Sequence, residues 1–265
     1  MKKLFAIALV LMLVLSCFAG CGEKDGTAET KTVVVGYTLY APMNYMEGDQ
    51  LVGFDTDLAK AVFEGLGYEV IFQEIDWDAK YTDLAAGTID CIWNGFTANA
   101  ADNDGIMRSE KVDFSYNYME NRQVIVVKAD SGIASAEDLN GKMGSVESGS
   151  AGETYGETFE GANIKGATKQ TDCLMEVNSG AADLAVLDAQ LAKSYVGKGD
   201  YTGLTIVEAL SSDVEFYAIG FEKGSELVAQ VNQQLEKLGA DGTIAKIAEK
   251  YGVATTAITD FSDQK

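Results

Sequence analysis

The chain alternates short β-branched runs with segments of helical spacing almost from end to end, and this alternation limits the fold more than any other feature. Residues 32–37 are a β-branched run, followed by a turn at Pro42, the only proline. Asp55 and Asp57 then open a segment in which Leu58, Ala61, Val62 and Leu66 recur at helical spacing, with Gly67 as the stop signal. Further strands are expected at 70–72, 91–93, 123–128, 142–146, 184–187 and 215–221. Helices are expected at 81–86, 151–159, 172–179 and 189–196, and in a long C-terminal segment carrying Leu227, Val228, Val231, Leu235 and Leu238 on one face. Such an order predicts an α/β fold with mainly parallel sheets. At 265 residues the chain has room for two modest domains.

An internal echo points to two lobes built alike. Leu84-Ala85-Ala86-Gly87-Thr88-Ile89-Asp90-Cys91-Ile92 is matched by Val177-Asn178-Ser179-Gly180-Ala181-Ala182-Asp183-Leu184-Ala185. Each reads as a helix end, a glycine stop, an aspartate and an apolar strand. Ligands of open α/β sheets bind beyond the carboxyl ends of strands. That rule places Asn94, Gly95 and Thr97 at one strand end and Asp188 at the other. If the lobes face each other, these groups share a cleft.

Composition narrows the function. The 41 acidic and 20 basic side chains give a formal charge of −21, which repels nucleic acid. There is no histidine, so Ser-His-Asp and Cys-His nucleophilic sites are excluded, along with nearly all zinc sites. No metal or cofactor is expected, and a binding protein is favoured over an enzyme. Arg108 and Arg122 are the only arginines available for a bidentate clamp on a carboxylate.

The N-terminus reads as an address. Lys2 and Lys3 precede the apolar run 4–15, which is too short to span a bilayer comfortably and matches a secretory signal peptide over 1–20. Phe18-Ala19-Gly20-Cys21 resembles the lipobox of bacterial lipoproteins, which makes Cys21 the lipidation site and 21–31 a flexible tether. Cys91 and Cys173 fall in different halves of the chain and are expected as free thiols.

Several motifs in order carry a family resemblance: Tyr40-Ala41-Pro42, Leu51-Val52-Gly53-Phe54-Asp55-Thr56-Asp57-Leu58-Ala59, the segment 84–90, Arg108 through Val112-Asp113-Phe114-Ser115, Asp138-Leu139-Asn140-Gly141-Lys142, the segment 180–188 and Ala240-Asp241-Gly242-Thr243. Over residues 33–253 the chain resembles the extracellular solute-binding proteins (family 3, polar amino-acid type) of ABC amino-acid importers. The resemblance implies a periplasmic-binding-protein-like clamshell. Lobe one would be 32–124 with 218–253, lobe two 125–217, and 254–265 a C-terminal tail. Two crossing hinge strands would lie near 122–126 and 214–218. It implies a monomeric receptor, held by its lipid anchor on the extracellular face of the cytoplasmic membrane, that delivers an L-amino acid to an ABC permease without a covalent step. Two alternatives remain open: an enzyme on the same fold, of the cyclohexadienyl dehydratase type, and a ligand-sensing module.

Burying a zwitterion costs several kcal/mol per charge unless each end is paired. The resemblance assigns Arg108 to the ligand α-carboxylate and Asp188 to the α-ammonium. Arg108 could instead be a surface arginine on a helix, and Asp188 a helix cap. Ten residues separate Thr97 from Arg108, more than the family spacing, which leaves Arg122 as a substitute. Ser150 and Ala151, opening a helix after a strand, would add donors to the carboxylate, with Asn94, Gly95 and Thr97 contributing from lobe one. Tyr40, Tyr45 and Trp77 would line the side-chain pocket. Trp93 alternates towards the core. Glu147 would bring an extra anion to the cleft, which suggests a ligand with a cationic or donor-bearing side chain.

Overall fold

The computed structural model describes residues 31–264, so the signal peptide, Cys21 and most of the tether lie outside the described residues. In chain order, lobe one begins with β1 (Lys31–Tyr37), β2 (Tyr45–Glu47), β3 (Gln50–Val52), α1 (Phe54–Gly65) and β4 (Tyr68–Glu74). It continues with α2 (Lys80–Ala85), β5 (Cys91–Ile92), α3 (Arg108–Lys111) and β6 (Asp113–Phe114). The chain crosses on β7 (Met119–Asn121) into β8 (Gln123–Lys128), β9 (Met143–Glu147), α4 (Ala151–Gly156) and β10 (Asn163–Ala167). Lobe two closes with α5 (Gln170–Ser179), β11 (Leu184–Asp188), α6 (Ala189–Tyr195) and β12 (Leu204–Val207). The return runs through β13 (Glu215–Tyr217) and β14 (Gly220–Phe221) to α7 (Leu227–Ala240) and α8 (Thr243–Lys250), both packed on α1.

Each lobe is a five-stranded sheet, ordered β4-β1-β5-β14-β6 in lobe one and β10-β9-β11-β8-β12 in lobe two. The strands joined by helices are parallel, as the alternation predicts. The strands on either side of the crossings, β8 and β14, run antiparallel to their neighbours because they enter their sheets from the hinge end. The crossings themselves pair as a two-stranded antiparallel ribbon, β7 with β13. The ribbon therefore begins a few residues before the stretch 122–126 picked from sequence, and Gln123 already starts a strand inside lobe two. The stretch 215–221, expected as one strand, divides between the ribbon and the lobe-one sheet. Residues 254–264 pack on lobe one: Ala257 bridges Met119, and the buried Phe261 ring stacks on Tyr116 at 6.0 Å.

Local sequence explains these elements. All five residues of β11 are buried, as expected for an apolar strand covered on both faces by α4 and α5. In α1, Phe54, Leu58, Val62 and Phe63 face the core while Asp55 and Asp57 occupy the first turn, where the helix dipole favours anions. Cys91 in β5 and Cys173 in α5 are buried free thiols in separate lobes.

Gly53 caps α1 with φ +134°, and a Cβ placed there would stand 2.0 Å from the Met43 carbonyl oxygen. Gly53→Ala is expected to destabilise the protein by about 2–4 kcal/mol. The check is a lowered urea midpoint at an unchanged slope.

Candidate functional site

The carboxyl ends of β5, β9 and β11 converge between the lobes, and the loops that leave them build one cavity. It is lined by Tyr40, Trp77, Asn94, Gly95, Thr97 and Arg108 from lobe one, and by Glu147, Ser150, Ala151, Gln170 and Asp188 from lobe two. Its free volume is ≈ 10 Å³, room for about one water molecule. An amino acid can enter only if the lobes part.

On the lobe-one side the backbone is braced from beneath. Gly95 has φ +58°, and a Cβ there would lie 1.8 Å from the Tyr40 hydroxyl, so only glycine fits. Its N–H donates to Asp55 Oδ2 at 3.0 Å, which also accepts the Tyr118 hydroxyl at 3.0 Å. Burial pushes the Asp55 carboxyl up to about 7. Asn94 spends its side chain inside the lobe: Nδ2 donates to Thr38 O at 2.9 Å and to Asn44 Oδ1 at 2.6 Å, while Oδ1 accepts the Thr38 N–H at 3.0 Å. Sequence reasoning expected a ligand donor at Asn94, whereas the structure gives that amide a bracing role. Trp93 points into the core against Phe63 and Tyr118, as strand alternation predicts.

Arg108 opens α3 and is 1% exposed despite its charge. Its Nη1 donates to Thr97 O and its Nη2 to Gly149 O of lobe two, both at 3.3 Å, while Nε meets Asp102 at 2.8 Å. The guanidinium lies over the Phe96 ring at 5.3 Å. The long loop after Thr97 has therefore not carried Arg108 out of the cleft. Arg122 is exposed, donates to Ser212 O at 2.9 Å and lines a separate pocket beside Lys193, so it is no substitute. Tyr45 also lies elsewhere. It sits on the β2–β3 hairpin, edge-on to Tyr251 at 6.3 Å and bonded to Glu47, because alternation along β2 turns its ring towards α8 and the surface.

The lobe-two side is acidic. Asp188 Oδ1 accepts Asn121 Nδ2 at 2.6 Å and Gln123 Nε2 at 2.7 Å, and its Oδ2 accepts Gln170 Nε2. The same two amides of Asn121 and Gln123 donate to Glu215 Oε1 at 2.6 and 2.7 Å, and Thr97 Oγ1 adds a bond at 3.1 Å. Asp188 and Glu215 thus share donors. Glu147 is 4% exposed at the end of β9. Burial, then repulsion from Asp188, pushes Glu147 up to about 8 and Glu215 up to about 7, and burial also raises Asp188. Among the described residues none of the three forms an ion pair. Ser150 caps α4, its Oγ accepting the Glu153 N–H at 3.0 Å, which sets Ala151 at the cavity wall.

Three participants escaped sequence reasoning. Gln170, the first residue of α5, orients Asp188 through both its amide donor and its carbonyl. The strand-end rule applied to the residues following β10 would have found it. Glu215 opens β13 in the ribbon, at the amino end of a strand, where the carboxyl-end rule does not reach. Lys80, 2% exposed, reaches from lobe one to Gly149 O at 2.9 Å; burial and then Arg108 press its ammonium down to about 8.

Two α/β lobes on a two-stranded ribbon, with a guanidinium on one face of the cleft and carboxylates on the other, define a hinged solute-binding protein. Comparison with known proteins agrees. The description "Bacterial extracellular solute-binding proteins, family 3" matches residues 33–254, and the chain belongs to that family. The arginine-binding extracellular protein ArtP of Bacillus subtilis is 32% identical over 258 residues, 95% of this chain and 98% of ArtP. A solved ancestral arginine-binding protein bound to arginine superposes with a TM-score of 0.75 at 36% identity, covering 83% of this chain and 97% of that one. An ancestral amino acid-binding protein described as a precursor of cyclohexadienyl dehydratase has a TM-score of 0.73 at 32% identity, covering 83% of this chain and 95% of that one.

The raised carboxylates bear on stability. Between their ordinary values near 4 and the raised ones, Glu147, Asp188, Glu215 and Asp55 hold more protons folded than unfolded. Unfolding releases those protons, so the stability of the ligand-free protein falls as pH rises through that window. The lowered Lys80 acts in the opposite sense, and only above about 8. Differential scanning calorimetry without ligand should give a lower melting temperature at about pH 7.5 than at about pH 5.5. A rise over that interval would contradict the assignment.

Proposed function

We propose that this chain is the extracytoplasmic receptor of an ABC importer for an amino acid with a cationic side chain, with L-arginine the first candidate. The observation that carries the proposal is that Arg108 from lobe one and both Asp188 and Glu147 from lobe two line the same cavity. In this reading the Arg108 fork takes the α-carboxylate, helped by the opening of α4 at Ser150 and Ala151. Asp188 takes the α-ammonium, and Glu147 offers a second anion to the side chain. Tyr40 and Trp77 enclose its stem. ArtP and the arginine-bound ancestral protein support arginine, and the surplus of buried anions supports it independently. Closure of the lobes on the ligand is the signal to the permease. Cys21 carries the lipid anchor, and the receptor works as a monomer.

We take the chain to be a receptor and not an enzyme. Carboxyls raised towards neutrality also suit proton transfer, and one relative is described as the precursor of a dehydratase, so the bound compound must be followed. Recovery of unchanged arginine after long incubation with the protein is the expected result, and conversion would establish the enzymatic alternative.

Calorimetry across the twenty amino acids tests the ligand class. Arginine should bind tightest, and Arg108→Ala and Asp188→Asn should each cost on the order of 100-fold or more, as truncating one partner of a buried charge pair does. Glu147→Gln should narrow the preference for arginine over glutamine. A neutral amino acid binding best to the unaltered protein would refute the cationic assignment. Since the ligand's cationic groups bind the ionised carboxylates, binding should release protons near pH 7, with affinity falling as pH drops below about 7.

A further inference from the structure

The guanidinium assigned to the ligand carboxylate is held from behind by a residue of the long loop. Arg108 Nε donates to Asp102 Oδ1 at 2.8 Å. Asp102 Oδ2 is fixed in turn, accepting the Tyr81 hydroxyl at 2.7 Å and Lys111 Nζ at 2.9 Å. The loop doubles back to deliver Asp102. Its N–H donates to Ile106 O at 3.0 Å, the Gly105 N–H donates to Asp102 O at 2.8 Å, and the Arg108 N–H donates to Ala100 O at 3.0 Å. Asp104 in the same turn holds Lys111 at 2.8 Å. Asn103 carries the loop across the cleft, accepting Thr154 Oγ1 of α4 at 2.7 Å.

We infer that Asp102 is a positioning residue for ligand recognition: by fixing Arg108 Nε it turns the two Nη groups to the cleft and makes the site selective for a carboxylate. The inference rests on the reading in which Arg108 holds the ligand α-carboxylate. An unrestrained arginine loses much rotamer freedom when it grips a ligand, and a fork fixed in advance does not incur that loss during binding. With Nε on Asp102 and one N–H of each Nη on the carbonyls of Thr97 and Gly149, one N–H remains on each Nη among the described contacts. That is the pattern a carboxylate accepts in bidentate fashion. The bond between Asn103 and Thr154 joins the loop to lobe two in the closed form, so the same short segment steadies Arg108 and meets the advancing lobe.

The test is calorimetry of the purified protein with L-arginine and with L-argininamide, in which a neutral carboxamide replaces the carboxylate, at a pH where the α-amine of both is protonated. Asp102→Asn should lower arginine affinity on the order of 10-fold and leave argininamide within about 2-fold. Asp102→Glu should restore most of the loss, and Tyr81→Phe should produce a smaller loss of the same selective kind. Equal losses for both ligands, or a preference for arginine in Asp102→Asn as large as that of the unaltered protein, would overturn the inference. If Asp102→Asn does not fold, Asp102→Glu and Tyr81→Phe carry the test, and an unchanged preference in Tyr81→Phe counts against it. Arg108→Ala separates the two layers. Loss of the preference there with none in Asp102→Asn removes only the positioning role. A preference that survives in Arg108→Ala means the carboxylate is held elsewhere, and the assignment of Arg108 itself falls.

Discussion

The interaction on which the rest of the structure depends is the sharing of two amide groups between Asp188 and Glu215. Asn121 and Gln123 each donate to both carboxylates, so two buried anions are held together by neutral donors. Amides lessen the cost of desolvating charge without cancelling it. Glu147 adds a third acid to the same wall. The face of the cleft opposite Arg108 is therefore backed by buried carboxyls that form no ion pair among the described residues, and the group best able to satisfy them is a cation small enough to reach the cleft. On the proposed reading, selectivity for an ammonium-bearing solute follows from this arrangement before the shape of the pocket is considered.

The opposite wall is built by a different device. Lobe one brings Arg108 and Lys80 to the cleft, pairs Arg108 with Asp102 and gives both cations carbonyl acceptors of its own, Thr97 and Trp77. Its geometry comes from backbone that only glycine can adopt against the Tyr40 ring, and from the Asp55 carboxylate beneath Gly95. The wall proposed to receive the ligand carboxylate is thus fixed largely by packing and hydrogen bonds within lobe one. The acidic wall is fixed partly by the hinge ribbon, since Asn121 and Glu215 belong to it. Changes in ribbon geometry on opening and closing are consequently felt directly by Asp188, the group proposed to hold the ligand ammonium.

The legibility of the sequence follows the same division. Helices such as α1 and α7 were readable because burial imposes a period on consecutive residues, and strands such as β1 and β11 because each is a short continuous apolar run. Arg108, Asp188 and Glu147 were readable because strand ends and scarce charges are local features. The bracing by Asn94 was not legible, since nothing near it in sequence shows that Thr38 and Asn44 will engage its amide. Tyr45 was misplaced because a short hairpin carries no burial pattern to say which way its rings turn. Gln170, Glu215, Lys80 and Asp102 went unseen for a common reason: each acts through a side-chain or carbonyl partner fixed only by tertiary structure, as with Lys80 and the Gly149 carbonyl, 69 residues apart.

Closure brings these two walls together, and the contacts available without a ligand are weak. Lys169 and Glu74 pair across the lobes at 2.6 Å, but with side chains 35% and 41% exposed, and such a pair contributes about 0–1 kcal/mol. Lys80 and Arg108 both donate to the one carbonyl of Gly149, which draws two like charges together as the lobes meet. Against these stands the cost of drying Glu147, Asp188 and Glu215 with no cation between them. A ligand can shift the open–closed balance only by the difference in its affinity for the two forms. On the proposed reading that difference is large, because a cation between the walls removes the main penalty of the closed form. The same electrostatics that select the solute therefore couple its arrival to closure, and no separate switch is needed.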